Sequence, residues 1–273
     1  MTLELVNRHG LVLLGCGKMG SAMLAGWLKG GVRPEAVTVL DPNPSEWLQE
    51  LAGQGLVLNG DLPARPAVCI LAVKPQMMGD ALPRLQALGE STTLFVSVAA
   101  GTKIAAFESA LGVKTPIIRA MPNTPAAVGH GITALIGNAN VSEDDMVLTE
   151  TLLQAVGETL RLQNEGQMDA VTAVSGSGPA YVFHLIEAMA QAGEAEGLPA
   201  DMAMKLALAT VAGAGDLAEN ASETATQLRV NVTSPGGTTA AALAVLMDEE
   251  NGFPPLLRRA IAAAAARGRE LGK

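Results

Sequence analysis

Two short stretches of this chain gather main-chain N–H groups and small side chains where an anion fits. The first is Gly15-Cys16-Gly17-Lys18-Met19-Gly20, which follows the apolar run Leu11-Val12-Leu13-Leu14 and opens Ser21 to Leu28. This is G-x-G-x-x-G between a strand and a helix, the context in which the pattern holds a pyrophosphate. The first glycine makes the tight turn, the second admits the pyrophosphate to the backbone, and the third lets helix and strand pack closely. A second apolar run, Val37-Thr38-Val39-Leu40, ends in Asp41. That places an acid about twenty residues beyond the last glycine, where it faces the ribose 2′-hydroxyl of a dinucleotide. The second stretch is Ser234-Pro235-Gly236-Gly237-Thr238-Thr239, running into Ala240 to Leu246. Serine is a favoured N-cap and proline suits a first helical turn, so a helix is expected to begin at Pro235. Its positive end would receive a small carboxylate. A glycine-containing interhelical turn has the same composition; the first receptor in the same chain favours the binding reading.

The acid–base inventory narrows the chemistry. A dehydrogenase acting on an alcohol uses a group such as His or Lys to take or give the hydroxyl proton. Residues 166–246 hold only Lys205, Arg229 and His184 of these basic types. His184 follows Tyr181-Val182-Phe183 in an apolar helix and reads as a packed core histidine. Ser175-Gly176-Ser177-Gly178-Pro179-Ala180-Tyr181 has the glycine spacing found around the catalytic lysine of 3-hydroxyacid dehydrogenases, but no lysine follows. A missing strong acid suits a C=N bond better than a C=O bond. An imine nitrogen is basic enough to arrive protonated, leaving the protein to orient it and stabilise developing charge. A threonine hydroxyl on a helix end can do this.

The elements that must position these groups are legible. Strands are expected at 11–15, 37–41, 56–58, 68–73, 93–98 and 116–120, with helical stretches between them. A further strand is expected at 131–137, a helix at 142–156 and a short strand at 158–162. Continuous apolar strands such as Val68-Cys69-Ile70-Leu71-Ala72-Val73 suit a parallel sheet buried on both faces. The first half, residues 1–165, therefore reads as an α/β, Rossmann-type doubly wound sheet. From about residue 166 strand signals vanish, and residues 166–273 read as an all-α domain whose small apolar surface associates with its own copy. Three strand ends, Ala72-Val73-Lys74-Pro75, Val98-Ala99-Ala100-Gly101 and Met121-Pro122-Asn123-Thr124-Pro125, would face the ligand crevice. There Lys74 or Asn123 would hydrogen-bond cofactor or substrate. Pro and Gly also end strands that have no such role.

Composition excludes other classes. The net charge of −9 leaves no basic surface for nucleic acid. No apolar run approaches a membrane span. The start Met1-Thr2-Leu3-Glu4 lacks the basic and apolar regions of a signal peptide, so a cytoplasmic protein is expected. The two cysteines, Cys16 and Cys69, sit at or beside strands, where a disulfide is not expected. With His9, His130 and His184 scattered, no metal site is expected.

The chain resembles the pyrroline-5-carboxylate reductases over nearly its whole length. The resemblance rests on Ala-Val-Lys-Pro at 72–75, Ala-Ala-Gly at 99–101, Arg-Ala-Met-Pro-Asn-Thr-Pro at 119–125, the run 169–181 and Ser-Pro-Gly-Gly-Thr-Thr at 234–239. It implies hydride transfer from NADPH or NADH to the C=N carbon of L-1-pyrroline-5-carboxylate, giving L-proline. It implies further that Gly236, Gly237, Thr238 and Thr239 hold the substrate carboxylate, with the Thr239 hydroxyl near the imine nitrogen. Ser234 lines the same pocket and Glu165 approaches the substrate. The cofactor would lie along Leu14, Gly15, Cys16, Gly17, Lys18 and Met19. Asn59, Ala72, Val73, Lys74, Pro75, Ala99 and Ala100 would flank it, and Asn231 would reach it from the helical domain. The family's helical domain forms an interlocked homodimer, often built into larger rings, with the active site between the two domains.

The sequence departs from the family pattern at Lys18 and Gly20, where Asn and Ala are frequent, and at Ala225 and Val230, where Pro and Asp are common. Asp41 would repel a 2′-phosphate, and no Lys or Arg occurs between Arg33 and Arg65, which favours NADH. Family members often hold a 2′-phosphate on main-chain N–H groups and small polar residues just after the second strand, here Asn43 and Ser45. Use of both cofactors is therefore expected. The rival readings are a reductase of a related cyclic or open imino acid, and a dinucleotide-binding scaffold without turnover. A methyltransferase reading of the glycine loop leaves the second domain without a purpose.

Overall fold

The apolar runs of the first half become strands of one sheet in the computed structural model, which describes residues 2–272. α1 (Thr2–His9) leads into β1 (Leu11–Leu14), α2 (Lys18–Lys29), β2 (Val37–Leu40), α3 (Glu46–Ala52), β3 (Val57–Leu58) and β4 (Val68–Leu71). α4 (Met78–Ala81), β5 (Leu94–Ser97), α5 (Ile104–Leu111), β6 (Ile117–Met121), β7 (Gly131–Gly137), α6 (Glu143–Leu153), β8 (Gly157–Arg161) and α7 (Met168–Val171) follow. The strand order is β3-β2-β1-β4-β5-β6-β7-β8. β1 to β6 are parallel, whereas β7 runs antiparallel to β6 and β8 parallel to β7. The reversal at β7 has a simple cause: residues 122–130 are too few to carry the crossover helix that a parallel partner needs.

Alternate side chains of the buried strands feed two cores, one on each face of the sheet. Leu11, Leu13, Ile70, Val96 and Ile118 pack with Met23, Leu24 and Trp27 of α2 and with Leu148 and Leu152 of α6. Val12, Leu14, Cys69, Leu71 and Phe95 pack with Leu85 and with Phe107 and Leu111 of α5. Burial on both faces explains why these strands read as unbroken apolar runs rather than alternating ones. α6 starts where Ser142 and Asp145 form a reciprocal capping box. The chain after Leu153 tightens into a 3₁₀ turn, Gln154–Val156, so the helix expected to 156 ends earlier.

Two compact units divide the chain: Met1–Gly176 with Ala265–Lys273, and Ser177–Ala264. Residues 166–176, which the change of texture assigns to the helical half, group with the sheet. Met168 and Ala173 are buried there. The second unit is all helix: α8 (Gly178–Ala195), α9 (Ala200–Asn220), α10 (Ala225–Asn231), α11 (Thr238–Leu246) and the first part of α12 (Phe253–Leu271). α8 and α9 meet through Ala190, Ala203 and Ala207, with Ile186 against them. These small side chains bury little area, and Phe183, Met202, Leu206 and Leu208 stay exposed. His184 is exposed as well, with 82% of its side chain open and Nδ1 3.2 Å from Glu187 Oε2. The expectation of a packed core histidine is thus wrong for the single chain. The apolar face of α8 next to it is not covered by this chain's own helices.

Gly26 marks a close approach of α2 to the 3₁₀ turn after α6. A Cβ there would lie 2.8 Å from Ala155 O and 3.0 Å from Ala155 Cβ. One residue on, Trp27 Nε1 donates to Leu152 O at 2.7 Å, so α2 cannot slide away without breaking a buried hydrogen bond. Gly26→Ala should therefore lower stability by about 1–2 kcal/mol through overpacking, despite about 1 kcal/mol of gained helix propensity. Urea denaturation checks this, and an unchanged or raised midpoint would contradict it.

Candidate active site

β1 pairs with β2 on one side and β4 on the other, so strand order reverses at β1. The crevice beyond the carboxyl ends of the strands opens there, and ligands of open α/β sheets bind in it. The loop from Gly15 to Gly20 stands at this point, and each glycine has a separate steric reason. Gly15 has φ 85°, and a Cβ on it would meet Val73 Cγ1 at 2.8 Å and Ala72 O at 3.0 Å. A Cβ on Gly20 would lie 2.5 Å from Gly15 O. A Cβ on Gly17 would meet nothing within 4 Å. Gly17 thus leaves open space above the loop, and the two crowded glycines hold the loop's shape. α2 begins at Lys18, so its unsatisfied N–H groups face the same space. Lys18 is exposed, Met19 half-buried, and Leu14 closes the floor from the end of β1.

Asp41 ties the loop to β2. Its Oδ2 accepts from Cys16 N at 2.7 Å and its Oδ1 from Asn43 N at 2.8 Å. Asn59 grips the main chain of the same residue: Asp41 N donates to Asn59 Oδ1 at 2.9 Å, and Asn59 Nδ2 donates to Asp41 O at 2.7 Å. Ser45 caps α3, accepting from Leu48 N at 3.3 Å. The Cys16 thiol is pushed up to about 12, by burial first and by the Asp41 charge second. It stays neutral at physiological pH and adds no negative charge to the loop. Cys69 is buried in β4, its thiol also raised by burial, and both cysteines are free.

The other expected cofactor positions sit on the same edge. Ala72, Val73, Lys74 and Pro75 follow β4, where Ala72 N donates to Leu14 O at 2.8 Å. Lys74 is exposed. Ala99 and Ala100 follow β5, the first buried and the second exposed. Asn123, after β6, spends its side-chain carbonyl on Ile132 N at 3.0 Å, fixing the start of β7.

Glu165 joins two elements of the first unit through one carboxylate oxygen. Its Oε1 accepts from Arg119 Nη1 and from Ile104 N, each at 2.9 Å. Arg119 is buried in β6, and Ile104 N opens α5. Glu165 thereby pins the first turn of α5, just beyond Ala99 and Ala100, to the middle of β6. A cavity of about 380 Å³ adjoins this pair, lined by Lys103, Asp169 and Arg269 among others. The signal for it was present in the sequence: an arginine inside Ile117-Ile118-Arg119-Ala120-Met121 must find an anionic partner to be buried. Among the described residues no three His, Cys, Asp or Glu side chains gather as metal ligands would.

Residues 231–239 belong to the second unit. The expected helix start at Pro235 is corrected: α11 begins at Thr238 with Gly237 as its N-cap. Ser234 to Gly237 form a β-turn, closed by Gly237 N donating to Ser234 O at 3.0 Å. Pro235 holds its second position and Gly236, at φ 69°, its third, the arrangement a type II turn requires. The positive φ at Gly236 prevents a helix from starting earlier. The N–H groups of Thr238, Thr239 and Ala240 thus form the free first turn of α11. Ser234 and Thr238 are exposed, and Thr239 is half-buried. Asn231 ends α10 and accepts from Gln227 Nε2 at 2.8 Å.

The chain is similar to known proteins in sequence and in fold. Residues 165–271 match the pyrroline-5-carboxylate reductase dimerisation family, and residues 10–101 match the coenzyme F420-dependent NADP oxidoreductase family. The pyrroline-5-carboxylate reductase of Pseudomonas aeruginosa is 40% identical over 84% of this chain and 85% of its own length. That of Pisum sativum is 37% identical over 86% of each chain. Among solved structures, the pyrroline-5-carboxylate reductase of Coxiella burnetii superposes with a TM-score of 0.90 at 34% identity, covering 97% of this chain and 99% of that one. The Plasmodium falciparum pyrroline carboxylate reductase, with NADP bound, gives 0.81 at 29% identity, covering 98% and 99%. Identity at this level along most of the sequence, matched by the fold, makes the chain a member of the pyrroline-5-carboxylate reductase family.

Proposed function

We propose that the chain reduces the C=N bond of L-1-pyrroline-5-carboxylate to L-proline with NADPH or NADH. The observation that carries this reading is the loop Gly15 to Gly20 at the strand-order reversal, with Gly17 open and the Asp41 carboxylate bonded to Cys16 N. The dinucleotide would lie on the loop from Leu14 to Met19, its ribose facing Asp41 and Asn43. Val73, Lys74, Ala99 and Ala100 would line the way to the nicotinamide. When bound, that group supplies the hydride. The residues of the chain then hold and polarise the acceptor. The first-turn N–H groups at Thr238 and Thr239 take the substrate carboxylate, and the Thr239 hydroxyl hydrogen-bonds the ring nitrogen. The imine arrives protonated, so hydride addition at carbon yields a neutral amine that takes its second proton from water. No general acid is required, which agrees with the exposure of Lys205 and His184.

Residues 1–165 would hold the cofactor, and residues 166–273 would supply the carboxylate turn and the surface of a homodimer. The exposed apolar side chains of α8 and α9 support that pairing. No helix among the described residues is long and apolar enough to cross a membrane. We place the reaction in the cytoplasm, supported by two unpaired cysteines.

Oxidation of NADH and NADPH by the purified protein, with pyrroline-5-carboxylate as acceptor, tests the reading. The ratio of kcat/KM between this substrate and its six-membered-ring homologue tests the nearest rival; a ratio in favour of the larger ring would reassign the substrate. Thr239→Ala should lower kcat by about a hundredfold, the scale of one lost transition-state donor, while NADH binding is unchanged. Full activity in this variant would remove Thr239 from the mechanism. Asp41→Ser should shift the preference between cofactors toward NADPH by about tenfold or more, because the charge facing the 2′-position is lost. Steady-state kinetics with each cofactor reads this, and a hundredfold preference for NADPH in the unaltered enzyme would refute the role given to Asp41.

A further inference from the structure

The cavity beside Arg119 has a charge balance opposite to that of the whole chain. It measures about 380 Å³, within the range of small-molecule sites. Every residue that lines it belongs to the first unit. Lys103, Arg119 and Arg269 line it together with Glu165 and Asp169, so its wall is net positive in a chain of net charge −9. The three cations come from three elements: the turn before α5, the middle of β6 and the last turns of α12. Lys103 reaches the end of α12, where a Cβ on Gly272 would lie 3.5 Å from its Cε. Neither Lys103 nor Arg269 has an ion-pair partner among the described residues. Arg119 is only 5% exposed. Of its nitrogens, among the described residues only Nη1 has an acceptor, Glu165 Oε1 at 2.9 Å. No buried side-chain nitrogen of these residues lacks a partner, so the rest of the guanidinium is not sealed in the core. It opens onto the cavity that Arg119 lines.

We infer that this cavity binds a small dicarboxylate. Arg119 is buried at its floor, whereas Lys103 and Arg269 are exposed at its mouth. One carboxylate takes the open side of the Arg119 fork, whose planar donors match that shape. The other takes Lys103 and Arg269. The volume has room for on the order of ten waters, far more than one inorganic phosphate fills. Asp169 works against the ligand: its carboxylate lines the same wall, and its Oδ1 lies 2.9 Å from where a Cβ of Gly268 would sit. Glu165 Oε1 stays with Arg119 and Ile104 N and needs no rearrangement. No residue of the loop Gly15 to Gly20 or of the turn 234–239 lines this cavity, so its occupancy does not depend on the reduction proposed above.

Calorimetric titration of the full chain with succinate, at an ionic strength fixed with sodium chloride, tests this. Lys103→Gln and Arg269→Gln should each weaken succinate about tenfold, the scale of one lost charge-assisted hydrogen bond. Asp169→Asn should tighten it about threefold, because a like charge beside the ligand is removed. The opposite signs separate this cavity from a general salt effect and from succinate seated elsewhere. Circular dichroism of each variant checks that it is folded. Because the ligand joins three elements of one unit, succinate should also raise the thermal midpoint of the unaltered chain, and raise it less in Arg269→Gln. Inorganic phosphate titrated in the same way should bind more weakly than succinate; tighter phosphate binding would overturn the ligand class. No succinate binding, binding that Lys103→Gln and Arg269→Gln leave unchanged, or weaker binding in Asp169→Asn would overturn the site itself, and none of these results bears on pyrroline-5-carboxylate reduction.

Discussion

A carboxylate at the end of β2 holds a main-chain N–H of the phosphate loop, with 2.7 Å between Asp41 Oδ2 and Cys16 N. This charge-assisted bond is the constraint on which the cofactor half depends. The loop is otherwise free on its outer side, where a Cβ at Gly17 would meet nothing. Its inner side is fixed by contact: Gly20 lies against Gly15 O, and Gly15 against Ala72 and Val73. Asp41 adds the third support, joining the ends of β1 and β2 beside the strand-order reversal. The same carboxylate then has two duties. It fixes the loop proposed to receive the diphosphate, and on that proposal its negative charge stands where a 2′-phosphate would come. Shape and cofactor selection therefore cannot be tuned independently at this residue.

A second polar anchor works at the other end of the crevice. Arg119 is 5% exposed, and a buried guanidinium is tolerated only with its charge and hydrogen bonds matched. Glu165 supplies the charge and at the same time accepts Ile104 N, so β6 and the start of α5 are tied at one oxygen. The loop Val98 to Gly101 between β5 and α5 is thus held from both ends. Residues that would flank the nicotinamide are small there because larger ones would fill the space, and stiff because their flanks are anchored. Only Oε1 of Glu165 serves this anchor, and its side chain stays 31% exposed, which is compatible with the approach to substrate that the family resemblance implies.

Most of the sheet was readable from residues 11 to 161 because strands buried on both faces leave an unbroken apolar signature. The glycine loop was readable because close approaches force Gly15 and Gly20, while Gly17 is left open. What sequence reading missed was decided by single torsions and by surfaces. The start of α11 turns on the positive φ of Gly236, which sets Ser-Pro-Gly-Gly as a turn rather than a cap and first helical turn. His184 was misread because an apolar helix face looks the same whether its own chain or another copy covers it. The Arg119–Glu165 pair was missed because the partners lie far apart in sequence, although a lone arginine in an apolar strand announced that a partner must exist. The antiparallel turn to β7 followed from a loop too short for a crossover.

On the proposed function, two separate sets of main-chain N–H groups bind two anions, a diphosphate at Gly15 to Met19 and a ring carboxylate at Gly237 to Thr239. The most direct measurement is a crystal structure of the enzyme with NADH and proline bound together. The account predicts the diphosphate on the first turn of α2, ribose hydroxyls on the Asp41 carboxylate, and the proline carboxylate on the first turn of α11 with its ring nitrogen near Thr239 Oγ1. Proline seated away from residues 234–239, or a nucleotide whose diphosphate does not touch the Gly17 loop, would contradict it.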